Sequence, residues 1–232
     1  MKSEKLKTKS GKHLNKISIN CFSLFTFHFS LFTSFIIVAF FAVNLNNSYA
    51  GSGMIGKIKD SYASIKDIKG TFEQTNNIGG KSKTFNAAFY IKIPKKMSWR
   101  YEGVGGQEVY INNSNIVFYQ PKYKQAYVSA YNQSASGLKE LTLLEGFTDV
   151  ETNYTIKEMD GFVRLTPSTL DSKVNYIEVY PSNGTFPVDK IIISGKDENH
   201  ITIKIKTAAL NSGVADSIFV FNPPNGTTIL DQ

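Results

Sequence analysis

The chain has 232 residues with 26 Lys and Arg against 19 Asp and Glu, a formal net charge of +7, three histidines and one cysteine. The first fifty residues take six of the 26 basic and one of the 19 acidic side chains, which leaves 20 and 18, a net of +2, for residues 51–232. That balance removes the main support for a nucleic-acid partner. With the lone cysteine at Cys21, residues 51–232 have no disulfide, thiolate chemistry or Cys-metal site.

The chain begins with a basic head, Met1–Lys16, followed by an uncharged run from Ile17 to Leu45. Its densest apolar part, Leu31–Val43, gives way to a polar break, Asn44–Asn47, and then to Ser48-Tyr49-Ala50. Basic head, apolar middle and small residues at −3 and −1 define a secretory signal peptide over 1–50, cleaved near Ala50. The competing reading is an uncleaved anchor, for which the uncharged run is long enough. Cys21 precedes the apolar run, so it is not placed as a lipid-acceptor cysteine. Residues 51–232 are expected to form one soluble, exported, monomeric domain, long enough for a sizeable core.

Met54, Ile55, Ile58, Tyr62 and Ile65 recur at spacings of three and four, which predicts an amphipathic helix, with Asp67-Ile68-Lys69-Gly70 as its stop. Beyond Gly70 the period becomes two. Phe85, Ala87, Phe89, Ile91 and Ile93 alternate with Asn86, Ala88, Tyr90 and Lys92, and Ile201, Ile203 and Ile205 with Thr202, Lys204 and Lys206. Such alternation means antiparallel strands with one wet and one dry face. Further strands are predicted at 71–76, 97–102, 107–112, 115–120, 125–130, 154–159, 162–166, 174–180, 188–194 and 218–222. They are joined by turn dipeptides such as Gly79-Gly80, Asn112-Asn113, Asp160-Gly161 and Asn183-Gly184. This is a mainly β (α+β) pattern: a meander curled into a large sheet or half-barrel. Ser134–Glu145 interrupts it as a short helix with leucines at 138, 141, 143 and 144. That helix either plugs the core or lies across the mouth of the curved sheet.

Signals for catalysis are absent. Thr75–Ser82 ends like a phosphate-binding loop, but Thr75 stands where the first glycine belongs and a strand follows instead of a helix. There is no G-x-S-x-G elbow. His200, the one histidine after residue 50, sits in a polar turn, and no carboxylate pair is marked for acid–base work. The protein is therefore expected not to be an enzyme and to need no metal or cofactor. Apolar and aromatic surface is what remains: nine Phe, eleven Tyr and one Trp after residue 50. Met97, Trp99 and Tyr101 share one strand face, Val109 and Ile111 another, and Phe118 comes next. Either they form an ordinary core or they line a greasy cavity.

Four motifs appear in order: Ile68-Lys69-Gly70-Thr71-Phe72-Glu73-Gln74; Phe89 to Tyr101, containing Pro94, Trp99 and Tyr101; Ile116-Val117-Phe118-Tyr119-Gln120-Pro121; and Phe219-Val220-Phe221-Asn222-Pro223-Pro224-Asn225-Gly226. This series resembles the LolA family, periplasmic carriers of lipoproteins to the outer membrane, from about Met54 to Leu230. The resemblance implies an incomplete antiparallel β-barrel with short helices covering its concave apolar face. That face would take up acyl chains of lipoproteins delivered by an inner-membrane releasing complex and passed to an outer-membrane acceptor. It also implies that Phe72, Phe89, Ile91, Met97, Trp99, Tyr101 and Phe118 line the acyl site, with Leu138, Leu141 and Leu144 as the lid. The family's arginine before the proline is Ile93 here, and alternation puts Arg100 on the face opposite Trp99. Alternatives of the same fold are a LolB-like acceptor and a lipoprotein-sensing or structural envelope protein.

Overall fold

The computed structural model describes residues 53–103, 106–131, 143–144, 146–170 and 172–231; the proposed signal segment 1–50 lies outside them. One helix, α1 (Met54–Tyr62), precedes six strands: β1 (Asp67–Ile78), β2 (Lys81–Lys92), β3 (Lys96–Tyr101), β4 (Glu108–Asn112), β5 (Asn115–Gln120) and β6 (Gln125–Ala130). A short helix, α2 (Val150–Asn153), leads into β7 (Tyr154–Met159), β8 (Phe162–Pro167), β9 (Val174–Pro181), β10 (Val188–Gly195) and β11 (His200–Leu210). β12 (Thr228–Asp231) ends the chain. All twelve strands form one unclosed sheet in the order β12-β6-β5-β4-β3-β2-β1-β11-β10-β9-β8-β7. This is the mainly β half-barrel expected from the alternation.

Why the sheet has one dry face is visible in its register. Gly70, Phe89, Trp99, Val109 and Phe118 lie side by side across β1 to β5, and Ile68, Ile91, Met97, Ile111 and Ile116 form the next row. On the other flank, Gln74 stands beside Ile203, which continues through Ile191 and Val179 to Val163. Because side chains alternate with period two, one set of in-phase positions supplies the whole inner face. The apolar side chains of these rows belong to, or pack against, a single buried cluster that includes Ile58 and Tyr62 of α1.

β1 and β2 pair over their full twelve residues, from Asp67↔Lys92 to Ile78↔Lys81. On its other side β1 pairs with β11 through a bulge between Thr71 and Phe72. Gly70 sits beside that bulge. A Cβ there would fall 2.1 Å from the Thr207 carbonyl oxygen and 2.8 Å from the Phe89 ring. The first obstacle is backbone, which cannot rotate away. Gly70→Ala is therefore expected to destabilise the fold by about 1–3 kcal/mol, read as a lower urea midpoint at unchanged slope. An unchanged midpoint would mean that β11 shifts freely.

The sheet is not a plain meander. β1 to β6 add outward in one direction, whereas β7 starts at the opposite edge and β8 to β11 fill back toward β1. The connection between β6 and β7 must therefore cross from one flank of the sheet to the other. Its described residues include Leu143, Phe147 and Val150, all buried in the inner cluster. Most of the predicted helix Ser134–Glu145, with Leu138 and Leu141, lies outside the described residues. Leu144 is half-buried against the same cluster.

Three sequence expectations change. Asp67–Gly70 is not a helix stop but the start of β1, because Ile68 faces both Ile91 and Leu210. His200 is not in the turn but opens β11 opposite Asn77. Residues 218–222 are not a strand. A 3₁₀ turn, Asp216–Phe219, is followed by extended chain that straps the outer face of the sheet. Phe219 is fully buried there, and Phe221 packs on Tyr110 and Tyr119 at 5.4 and 5.0 Å between ring centroids. Alternation of Phe219 and Phe221 mimics a strand, but Pro223 and Pro224 lack the amide donors of a ladder. The ladder resumes at β12, parallel to β6.

Candidate functional site

The inner face is the candidate site. Phe72 (β1), Phe89 and Ile91 (β2) and Met97, Trp99 and Tyr101 (β3) all point to it and are buried; Phe118 (β5) is half-buried on the same face, beside Val109. Sequence reasoning thus names residues that the structure brings together on one surface. Arg100 faces the other way. It pairs with Glu108 at 3.4 Å and donates to the Tyr110 hydroxyl at 3.3 Å. Ile93 packs against the inner cluster.

The periodicity does not reveal how this face is filled. Seven rings form a continuous chain across it: Phe147, Tyr62, Phe186, Phe89, Phe72, Tyr101 and Phe85, with successive centroids 5.7–6.3 Å apart. Phe147 comes from the crossover connection, Tyr62 from the end of α1, and Phe186 from the loop between β9 and β10. Phe147 and Phe186 lie in aperiodic segments, so no spacing marks them. The pair Asn183-Gly184 announces only the turn before Phe186.

The roof segment is conformationally unusual. Gly146, Phe147 and Asp149 have φ of 116°, 59° and 57°. A left-handed backbone costs an L-residue roughly 1–2 kcal/mol, and here Phe147 adopts it to turn its ring inward. The Tyr62 hydroxyl is buried with no hydrogen-bond partner among the described residues, and burial pushes its pKa up. Rigid strands therefore make the floor of the site, while its roof carries local strain and an unsatisfied polar atom.

One polar run crosses the apolar floor. The Tyr101 hydroxyl donates to Gln74 Oε1 at 2.7 Å, and Gln74 Nε2 donates to Asn76 Oδ1 at 2.8 Å. Gln74 is 1% exposed and Asn76 4%. Burial raises the Tyr101 pKa, partly offset by the neighbouring Trp99 indole and Gln74. The Trp99 Nε1–H lies beside that hydroxyl and makes no hydrogen bond among the described residues. Among the described residues no three His, Asp, Glu or Cys side chains group to hold a metal.

An unclosed antiparallel half-barrel with a continuous apolar interior and a roof of short segments defines the structural class. Residues 63–222, well over half the chain, match the sequence model of the family described as outer membrane lipoprotein carrier protein LolA, and the chain belongs to that family. It is 26% identical over 168 residues to the outer-membrane lipoprotein carrier protein of Helicobacter hepaticus, covering 72% of this chain and 84% of that one. The Neisseria gonorrhoeae outer-membrane lipoprotein carrier protein is 25% identical over 191 residues, covering 79% and 89%. Among solved structures, a LolA superfamily protein of Nitrosomonas europaea superposes with a TM-score of 0.44 at 10% identity, over 72% of this chain and 95% of that one.

Proposed function

We propose that this protein is a periplasmic carrier. It takes the acyl chains of lipoproteins onto the covered inner face, receives them from an inner-membrane releasing complex and hands them to an outer-membrane acceptor. Residues 1–50 serve as its export signal, and the carrier acts as a monomer with no covalent step. One observation supports this above the rest: four rings of the aromatic chain belong to strands and three to roof segments. Removing an acyl chain from water is worth about 0.8 kcal/mol per methylene. That gain must be nearly balanced in a carrier, or the cargo is never released. Displacing Phe147, Tyr62 and Phe186 supplies the balance, because the acyl chain packs only where these rings have given up their packing on one another and on Phe89. Leu144 extends the same roof. With Ile93 in place of the family's arginine, apolar packing is the main latch.

The test is mass spectrometry of the protein purified from its own cell envelope. Carriage predicts co-purified N-terminally acylated lipoprotein. Free phospholipid alone, or an empty protein, would instead favour a sensing or structural role.

A further inference from the structure

The polar run on the inner face stands among apolar neighbours. Gln74 stands in a row with Ile203, Ile191 and Val179, and Asn76 beside Ile201; leucine would fit either place without burying an amide. Each amide oxygen of the run already accepts a hydrogen bond, whereas donors are left over. Gln74 Oε1 is taken by Tyr101 and Asn76 Oδ1 by Gln74. The Trp99 indole N–H is buried without an acceptor among the described residues, one Gln74 N–H is left over beside its bond to Asn76, and the Asn76 amide nitrogen is an additional donor at the end of the run. Buried donors without acceptors are rare and expensive. Trp99, 6% exposed, points its donor into the same surface.

Direction follows from register. Trp99 lies level with Gly70 and Phe89, deep on the sheet; Tyr101 is level with Phe72, and Gln74 and Asn76 lie successively nearer the β1–β2 turn. Ile78 at that turn is exposed, and the Lys83 ammonium sits 4.7 Å over the Phe85 ring beside it. The donors thus form a track from the interior to one rim.

Resting on the carrier reading, we propose that the track Trp99–Tyr101–Gln74–Asn76 seats the ester or amide carbonyl oxygens of the acylated ligand. Its tails then lie toward Ile68, Ile91 and Met97, and its polar head leaves past the β1–β2 hairpin. A carbonyl oxygen is the acceptor these donors lack, and a plain hydrocarbon chain has none. The site therefore reads the linkage as well as the chain.

The experiment compares two probes with identical sixteen-carbon chains: a dipalmitoylglyceryl-cysteine peptide and its dihexadecyl ether analogue, titrated calorimetrically into the purified protein. The ester probe is expected to bind roughly tenfold more tightly, the effect of one or two net hydrogen bonds. Because Trp99 is the only tryptophan in the sequence, its emission should shift to the red with the ester probe alone. Asn76→Leu should narrow the ester-to-ether ratio while leaving ether affinity in place; a merely destabilised variant would weaken both probes alike. Equal affinities with unshifted emission overturn this inference and leave the carrier standing. Failure of both probes to bind overturns the carrier and the inference together.

Discussion

Phe147→Ala is expected to lower the stability of the unliganded protein by about 3–5 kcal/mol and at the same time to raise its affinity for an acylated peptide by about tenfold or more. The ring is fully buried and stands 6.0 Å from Tyr62 at the head of the aromatic chain. Truncating it leaves a cavity, and the surrounding sheet cannot collapse to fill it. If cargo must displace this ring, the packing that cargo has to disrupt is already gone in the variant. The closed state alone loses stability, so the opening equilibrium moves toward the competent form. A core residue unrelated to binding would show the first effect without the second. Thermal unfolding and calorimetric titration on the same variant separate the two. Loss of stability with unchanged affinity would assign Phe147 to the core and leave the roof closed during binding. The backbone offers an internal control. Phe147 has φ of 59°, a conformation glycine adopts freely and alanine does not. Phe147→Gly should therefore unfold no lower than Phe147→Ala, against the usual ranking of the two residues.

Much of the floor of this site is legible in the sequence, and the roof is not. Alternation in Phe85–Ile91 and Ile201–Ile205 shows because each strand has one face in water, so composition records the pleat. Met97, Trp99 and Tyr101 can be assigned to one face for the same reason. The order of strands is different. Nothing local to β7 distinguishes a strand that neighbours β6 in space from one that starts the opposite edge. The distinction depends on β1 having a free side for β11, which is a long-range property. Phe147 and Phe186 are invisible because their burial is imposed by elements far away in sequence. Gln74 and Asn76 are a subtler failure. They are in phase with Phe72, so the pattern points them inward, yet their polarity argues for solvent. Only the sheet around them shows that they are buried, and so raises the question of what they bind.

The anchor of the outer strap should make the protein sensitive to acid, and Asp67→Asn should remove part of that sensitivity. Asp67, 6% exposed, accepts hydrogen bonds from the Ser212 backbone at 2.8 Å, the Ser212 hydroxyl at 3.2 Å and the Gly213 backbone at 3.2 Å. Next to it, Asn211 bridges the same region: its Oδ1 accepts from Lys66 N–H at 2.7 Å and its Nδ2 donates to the Ser64 carbonyl at 3.1 Å. Together they fix the entry to β1 against the exit from β11, where the strap toward Phe219 begins. Burial alone would raise the Asp67 pKa, but the backbone bonds from Val214, Ser212 and Gly213 and the Ser212 hydroxyl outweigh it and hold the carboxyl below its ordinary 3.8. A carboxyl whose folded pKa is depressed contributes stability that is fully present above 3.8 and is lost as pH falls from there through the folded value. Near neutral pH, Asp67→Asn keeps the size of the side chain but turns an NH₂ toward the Gly213 donor. A loss of about 1–3 kcal/mol is expected. As pH falls below 3.8 and through the lower folded value the wild-type carboxyl itself gains a proton, and the gap between the two proteins should close. The Asp216 carboxyl is also held below its ordinary value, by Lys92 and Lys96 at 2.8 and 3.2 Å. It is present in both proteins and cancels in the difference. Urea midpoints measured across the acid range decide between the two outcomes. A gap that stays constant as the pH falls from neutral through the acid range below 3.8 would show that the charge of Asp67 plays no part in holding the strap.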